Sequence, residues 1–94
     1  MQTAIGIGGA ASGHKRDWQD SVEFVVESEK LGADVVWSAE AWGMDAVVPL
    51  AFLAARTSTI KLGTGIMQIS ARTPSMTAMT ALTMAAVSDD RFIL

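Results

Sequence analysis

The sequence contains no cysteine and only one histidine, His14. Without cysteine there can be no disulfide, no thiolate zinc site and no thiol nucleophile. A small secreted domain stabilised by disulfides is therefore excluded, and a reducing cytoplasm is the predicted location. His14 lies in a polar stretch between Gly13 and Lys15, so we expect it to be exposed to solvent. Because no cluster of carboxylates accompanies this histidine, the sequence predicts no metal site.

Charged residues are also scarce. They make up 18% of the 94 residues, and the net charge is −3. An acidic chain with scattered basic residues lacks the positive surface that nucleic acid requires. No apolar run approaches the roughly 20 residues that span a bilayer. The N-terminus also lacks the basic start and apolar core of a signal peptide. The sequence therefore predicts neither a nucleic-acid partner nor a membrane partner.

Apolar residues, by contrast, make up 50% of the chain. Small domains have much surface per unit volume, so we expect apolar faces that a unit of this size cannot cover alone. The clearest case is the predicted third helix, which starts at Thr73 and Pro74 and runs to about Val87. A helix that is apolar nearly all round is usually buried on two sides. We expect the sheet on one side, and another subunit or a further part of the chain on the other.

Strands and helices alternate along the sequence. Short apolar runs predict strands at residues 3–8, 33–38, 58–66 and 91–94. Helical spacing predicts helices at about 17–31, 46–56 and 74–87. Cap residues support these helices: Asp17, Asp45 and Thr73 as N-caps, and Gly32 as the C-cap of the first helix. The order β-α-β-α-β-α-β predicts crossover connections and a parallel sheet, which is an α/β fold.

In parallel α/β folds, ligands bind beyond the carboxyl ends of the strands. Residues 6–9, 38–43 and 64–68 follow or close such strands here. The first end reads GIGGAASG, which has neither the ending of a Walker loop nor a GxGxxG leading straight into a helix. Three interpretations stay open for it: a dinucleotide loop, a strand end that admits a flat ligand, or a plain flexible loop.

The second strand end carries Glu40 and Trp42. A carboxylate just past an apolar strand can bind a ligand or move a proton. Glu40 can equally be a solvated loop acid or a cap on the next helix. Trp42 can stack on a ring or cover the end of the strand. The methionines of the third helix fit a core or an interface better than a cofactor site, and no serine lies in a GxSxG elbow.

Three segments together resemble the bacterial luciferase-like family, in the branch of flavin-dependent monooxygenases and deazaflavin (coenzyme F-420) oxidoreductases. They are residues 37–45, 54–58 and 62–74, and their order and spacing are more specific than any one of them. The resemblance implies an α/β fold, the N-terminal part (β1-α1-β2-α2-β3-α3-β4) of a TIM-type (β/α)8 barrel. Such barrels need about 250 residues, so we expect residues 1–94 to form a single partial domain with no second domain.

The resemblance also implies a site. FMN or coenzyme F-420 would bind at the carboxyl mouth together with a small organic substrate. A non-prolyl cis peptide bond, by register Gly65–Ile66, would support the ring. The residues predicted to bind the cofactor are Gly8, Glu40, Trp42, Thr64, Gly65, Ile66 and Gln68, with Glu40 as the candidate catalytic residue. Many deazaflavin members carry an acid–histidine pair after the second strand. Here those positions are Glu40 and Ala41, so the acid is present and the histidine is absent.

Family dimers pack their second and third helices between subunits, which implies a homo-oligomer here. The predicted function is that of a luciferase-like oxidoreductase or monooxygenase, although we do not expect turnover from these 94 residues alone. The alternative function is a cofactor-free, self-associating barrel fragment with no catalysis. The uncharged third helix and the shortness of the chain favour this alternative.

Overall fold

The centre of the fold is a parallel sheet of four strands in sequence order. The computed structural model describes residues 1–8, 15–41 and 43–94. The strands are β1 (Ala4–Gly8), β2 (Val35–Ala39), β3 (Lys61–Thr64) and β4 (Phe92–Ile93). All three neighbouring pairs are parallel, and parallel neighbours need a crossover connection between them. The predicted parallel α/β sheet is therefore confirmed.

Three α-helices connect the strands: α1 (Lys15–Lys30), α2 (Val47–Ala54) and α3 (Pro74–Ser88). The predicted caps of α2 and α3 are present. Asp45 Oδ1 accepts hydrogen bonds from the amides of Val47 and Val48, both at 2.7 Å. Thr73 Oγ1 accepts from the Met76 amide at 3.2 Å, and Pro74 takes the first helical position. A short 3-10 helix at Ile69–Ala71, which the sequence did not predict, precedes α3.

Two predicted boundaries are wrong for identifiable reasons. α1 begins at Lys15, so the predicted N-cap Asp17 lies in the first turn of the helix instead; the two positions are hard to tell apart from sequence because a helix N-terminus favours an acidic residue at either. β3 occupies only Lys61–Thr64 of the predicted residues 58–66. The amides of residues 58–60 donate instead to Glu29 Oε2, at 3.0, 2.8 and 2.9 Å. These amides are therefore not available to a neighbouring strand.

The core lies between one face of the sheet and the helices. Its completely buried members include Val25 of α1, Val36 of β2, Leu50 and Leu53 of α2 and Leu62 of β3. Successive strand residues point to opposite faces, so the next residues along β2 and β3 lie on the other face. On β1 that face carries Ala4, Gly6 and Gly8, all of which are exposed.

α3 is covered on one side only. Met84 and Ser88 are buried, whereas Met76, Met79, Leu82 and Val87 are 50%, 56%, 73% and 57% exposed. The described residues therefore bury α3 on one of the two sides on which we expected it to be buried. None of the helices in the described ranges is both long enough and apolar enough to cross a membrane. Predictions for residues 9–14, His14 among them, and for Trp42 concern positions outside the described residues.

Candidate functional site

The carboxyl ends of β1, β2 and β3 meet at one edge of the sheet. Gly8 pairs with Ala39, and Ser38 pairs with Thr64. Just beyond the ladder, the Gly65 amide donates to the Ser38 carbonyl at 2.7 Å. The Glu40 amide donates to the Ile66 carbonyl at 3.0 Å. The structure therefore brings most of the predicted site residues together at this edge.

The peptide bond between Gly65 and Ile66 is cis, as the family resemblance implied. The hydrogen bond that Gly65 donates to Ser38 and the one that Ile66 accepts from Glu40 hold the main chain on both sides of this bond. The Ile66 side chain is 74% exposed, so the cis segment presents an apolar side chain at the edge. Gly8 ends β1 with a φ of +89°, and a Cβ there would lie 3.2 Å from the Ala39 carbonyl oxygen. Only glycine fits this bend comfortably.

The two glycines that flank Thr64 make room for Trp37. A Cβ at Gly63 would lie 2.3 Å from Trp37 Cζ3, and one at Gly65 would lie 3.1 Å from Trp37 Cε3. Carbon atoms in contact normally stay about 3.5–4.0 Å apart. The family resemblance linked Gly65 to a ligand and gave Gly63 no role. The structure adds that the indole packs across β3 immediately before the cis bond.

A pocket of about 270 Å³ opens between the β3–α3 connection and α3. Thr64, Ile66 and Gln68 line it together with Thr77 of α3. Within the described part of the chain, no hydrogen bond engages the Gln68 side-chain amide. Ligand sites usually have volumes of about 300–1,000 Å³, so this pocket is slightly smaller than a typical complete ligand site. Gly8 and Glu40 share the sheet edge but do not line the pocket.

Glu40 is nearly buried, with 9% of its side chain exposed. Its Oε1 accepts from the Ala46 amide at 3.2 Å and from Arg72 Nη2. Its Oε2 accepts from the Gln68 amide at 3.1 Å and from Arg72 Nη1 at 3.0 Å. The interpretation of Glu40 as a solvated loop acid is therefore wrong. Its contact with Ala46 does occupy one amide just before α2, as the capping interpretation expected.

The charge state of Glu40 follows from these contacts. The hydrogen bonds from Arg72, assisted by the amides of Gln68 and Ala46, outweigh burial and lower the pKa of Glu40 to about 2. In return, the carboxylate of Glu40 raises the pKa of Arg72. Both groups are charged across the neutral range, and each stabilises the charge of the other.

The sequence interpretation assigned no role to Arg72 or Thr77. The sequence could have indicated a role for Arg72, because it is the only cationic residue between Lys61 and Arg91 and lies between a predicted strand and a predicted helix. The sequence could not have indicated a role for Thr77, since its approach to the pocket depends on how α3 packs. In the described residues, no group of three or more histidine, aspartate or glutamate side chains is placed to bind a metal ion.

Comparison with known sequences assigns the chain to a family. The model of a family described as luciferase-like monooxygenase matches residues 2–94. The chain belongs to the luciferase-like monooxygenase family. A Mycobacterium tuberculosis protein described as a coenzyme F-420-dependent oxidoreductase is 47% identical to it over 76 residues. That match covers 81% of this chain and 22% of the mycobacterial protein. The chain therefore spans less than a quarter of the length of this relative.

Parts of three solved structures have the same fold as this chain. A coenzyme F-420-dependent tetrahydromethanopterin reductase from Methanopyrus kandleri matches with a TM-score of 0.82 at 23% identity, over 98% of this chain and 26% of that one. A monooxygenase from Streptomyces bottropensis gives 0.86 at 23% identity, over 98% and 31%. A type II Baeyer–Villiger monooxygenase of Pseudomonas putida, in complex with FMN, gives 0.85 at 15% identity, over 100% and 28%. The family member described here has the fold of the N-terminal part of a TIM-type barrel.

Proposed function

We propose that the chain carries the ring-binding part of a flavin- or deazaflavin-dependent oxidoreductase. The observation that carries this proposal is the pocket at the carboxyl edge of the sheet, which Thr64, Ile66 and Gln68 line. Membership of the luciferase-like monooxygenase family supports it. So do a relative described as F-420-dependent and a similar structure that contains FMN.

FMN and coenzyme F-420 both carry a flat tricyclic ring, and the residues at the edge suit such a ring. The exposed side chain of Ile66 offers apolar contact. The hydroxyl of Thr64 and the amide of Gln68 can each donate and accept hydrogen bonds at a polar ring edge. Gly8 lets a flat group approach the main chain, and Trp42, outside the described residues, is proposed to stack on it. A bound ring would supply hydride or oxygen chemistry, and the protein would orient it and tune its surroundings.

The same geometry limits affinity. Arg72 lies close in sequence to Gln68 and Ile69, which line the pocket, and Glu40 engages both of its terminal nitrogens. Because the carboxylate of Glu40 already neutralises Arg72, this cation offers little attraction to a cofactor phosphate. We expect ring contacts without strong phosphate contacts, and hence weak binding by the 94-residue chain. A small organic substrate would occupy the other side of the ring.

Separate titrations of FMN and coenzyme F-420 test the proposal. We expect at least one to bind with a Kd below about 1 mM, which corresponds to roughly 4 kcal/mol. Gly65→Val should weaken that binding about tenfold, because a side chain there meets Trp37 and must displace it or the main chain beside the pocket. The matched control is Lys61→Val, which adds the same residue at the exposed opposite end of β3 and should leave affinity within about twofold. Binding of neither cofactor below this limit would contradict the proposal.

We also propose that the chain forms a homo-oligomer through α2 and α3. Val48 and Phe52 of α2 are 68% and 46% exposed, and Leu82 of α3 is 73% exposed. Exposed apolar side chains concentrated on two helices are typical of an interaction site. Sedimentation of the purified chain tests this, with a monomer at all concentrations as the contradicting result.

A second candidate function is a cofactor-free fragment that associates with copies of itself. The observation that favours it is the exposed face of β1, where Ala4, Gly6 and Gly8 lie uncovered. β1 also pairs with β2 alone among the described strands, and an open strand edge invites pairing with another chain. Colour separates the two functions, because a flavin-bound protein is yellow. A colourless oligomer that binds neither cofactor would support the fragment and not the enzyme.

A further inference from the structure

One carboxylate joins the two connections that form the candidate site. Glu40 belongs to the segment after β2, whereas Gln68 and Arg72 belong to the segment between β3 and α3. The side chain of Glu40 bonds the Gln68 amide and both terminal nitrogens of Arg72. Arg72 Nη1 also donates to the Gln68 carbonyl at 3.4 Å. The main chain of Gln68 is thus held at both its amide and its carbonyl.

We infer that Glu40 and Arg72 are positioning residues that fix the main chain of Gln68 and so direct its side-chain amide to the pocket. In this assignment Glu40 does not transfer a proton. The effect on a bound ring rests on the proposed function, whereas the effect on the main chain of Gln68 does not.

The occupancy of the Glu40 carboxylate argues against proton transfer. An ionised carboxylate has about four acceptor positions, and four donors from Ala46, Gln68 and Arg72 approach these two oxygens. A general base must come within hydrogen-bond reach of the proton that it removes. Glu40 would have to release one of these donors to do so. The pKa of about 2 agrees, since a base this weak drives proton abstraction poorly at neutral pH.

The positioning role depends on an acceptor at position 40 and not only on opposite charges. The amides of Ala46 and Gln68 both donate to the side chain at this position. Exchanging the two residues would keep an ion pair but would leave these amides facing a cation that has no acceptor. A pair that served only for electrostatic stability would tolerate this exchange, and a positioning pair would not.

The test compares Glu40→Gln, the exchanged double variant (Glu40→Arg with Arg72→Glu), and the control Glu29→Gln. Glu29 is a suitable control because it also accepts hydrogen bonds from main-chain amides. The donors are Ser58, Thr59 and Ile60, in the connection between α2 and β3. Those contacts lie at the opposite end of β3, away from the pocket. Hydrogen exchange of the Gln68 amide in the ligand-free chain reports on positioning, and FMN and F-420 titrations report on the site.

We expect Gln68 amide exchange to accelerate at least about tenfold in Glu40→Gln and in the exchanged variant. Glu29→Gln should leave that exchange rate unchanged. Cofactor affinity should fall about tenfold in the two Glu40 variants and stay within about twofold in the control. Unchanged Gln68 exchange in Glu40→Gln, restoration by the exchanged pair, or an equal loss of affinity in Glu29→Gln would overturn the inference. If the unaltered chain binds neither cofactor, the proposed function fails, and Gln68 exchange alone decides the inference.

Discussion

Replacing Gly63 with alanine should destabilise the fold sharply, although it adds only one methyl group. The new Cβ would lie 2.3 Å from Trp37 Cζ3, 2.4 Å from Cε3 and 3.0 Å from Cη2. The preferred separation is about 3.5–4.0 Å, so the indole or β3 must move by more than about 1 Å. Gly63 is buried and Trp37 is half-buried, and a rigid ring on a paired strand cannot swing away freely.

Overpacking a filled site costs about 1–3 kcal/mol, which includes forcing neighbouring side chains away from their preferred rotamers. Because the new Cβ would lie only 2.3 Å from the indole, we expect the upper part of this range, a loss of about 2–3 kcal/mol in the free energy of unfolding. For a domain of this size each 1 kcal/mol shifts Tm by roughly 4–8 °C, so Tm should fall by at least about 8 °C.

Urea unfolding of four proteins measures this: the unaltered chain, Gly63→Ala, Trp37→Ala and the double variant. If the indole is the obstacle, Gly63→Ala should cost little once Trp37 is already alanine. The coupling energy should therefore approach the whole cost of the single Gly63 variant. A loss below about 0.5 kcal/mol, or an equal loss with and without the indole, would refute the steric argument.

Four further predictions concern single side chains. The pKa of Glu40 is lowered from 4.5 to about 2, so its stabilisation is present above pH 4.5 and is lost as the pH falls towards 2. Acid titration of Glu40→Gln should lack about 3 kcal/mol of that pH dependence. Arg91→Met should cost about 2–4 kcal/mol in thermal unfolding, because Arg91 donates to the carbonyls of Ala54, Thr57 and Ile60. Asp89→Gly should raise stability by about 0.5–1 kcal/mol in the same assay, since Asp89 has a φ of +56°. Leu82→Glu should shift sedimentation towards the monomer, because it places a charge on the exposed face of α3.

Each of these predictions has a contradicting result. An acid profile of Glu40→Gln parallel to that of the unaltered chain would show that this carboxylate is not the acid-sensitive group. Equal stability of Arg91→Met would mean that its carbonyl contacts do not hold α2 to the chain before β4. Destabilisation by Asp89→Gly would show that the aspartate side chain matters more than backbone strain. An unchanged sedimentation coefficient for Leu82→Glu would remove α3 from the interface.

The sequence predicted those features that depend on local chemistry. Apolar runs located the strands, and Asp45 and Thr73 marked helix starts through a short polar side chain that satisfies nearby amides. The cis bond at Gly65–Ile66 was predicted from the family resemblance rather than from any local pattern.

The features that sequence reasoning missed depend on residues far apart in the chain. Glu29 shortens β3 from a position 29 to 31 residues earlier. Arg72 pairs with Glu40 across 32 residues. Trp37, which explains the glycines on both sides of Thr64, lies on the neighbouring strand. No periodicity records such contacts, because they arise only after the strands have paired.

The central claim, a ring site at the carboxyl edge of the sheet, is tested most directly by mapping amide chemical shifts during FMN titration. We predict the largest changes at Thr64, residues 66–69 and Thr77, which line the pocket. Any changes in the groove between α1 and α2, which Trp18 and Phe52 line, should be smaller than these. Changes centred on that groove, or no changes at the pocket while FMN binds, would contradict the claim.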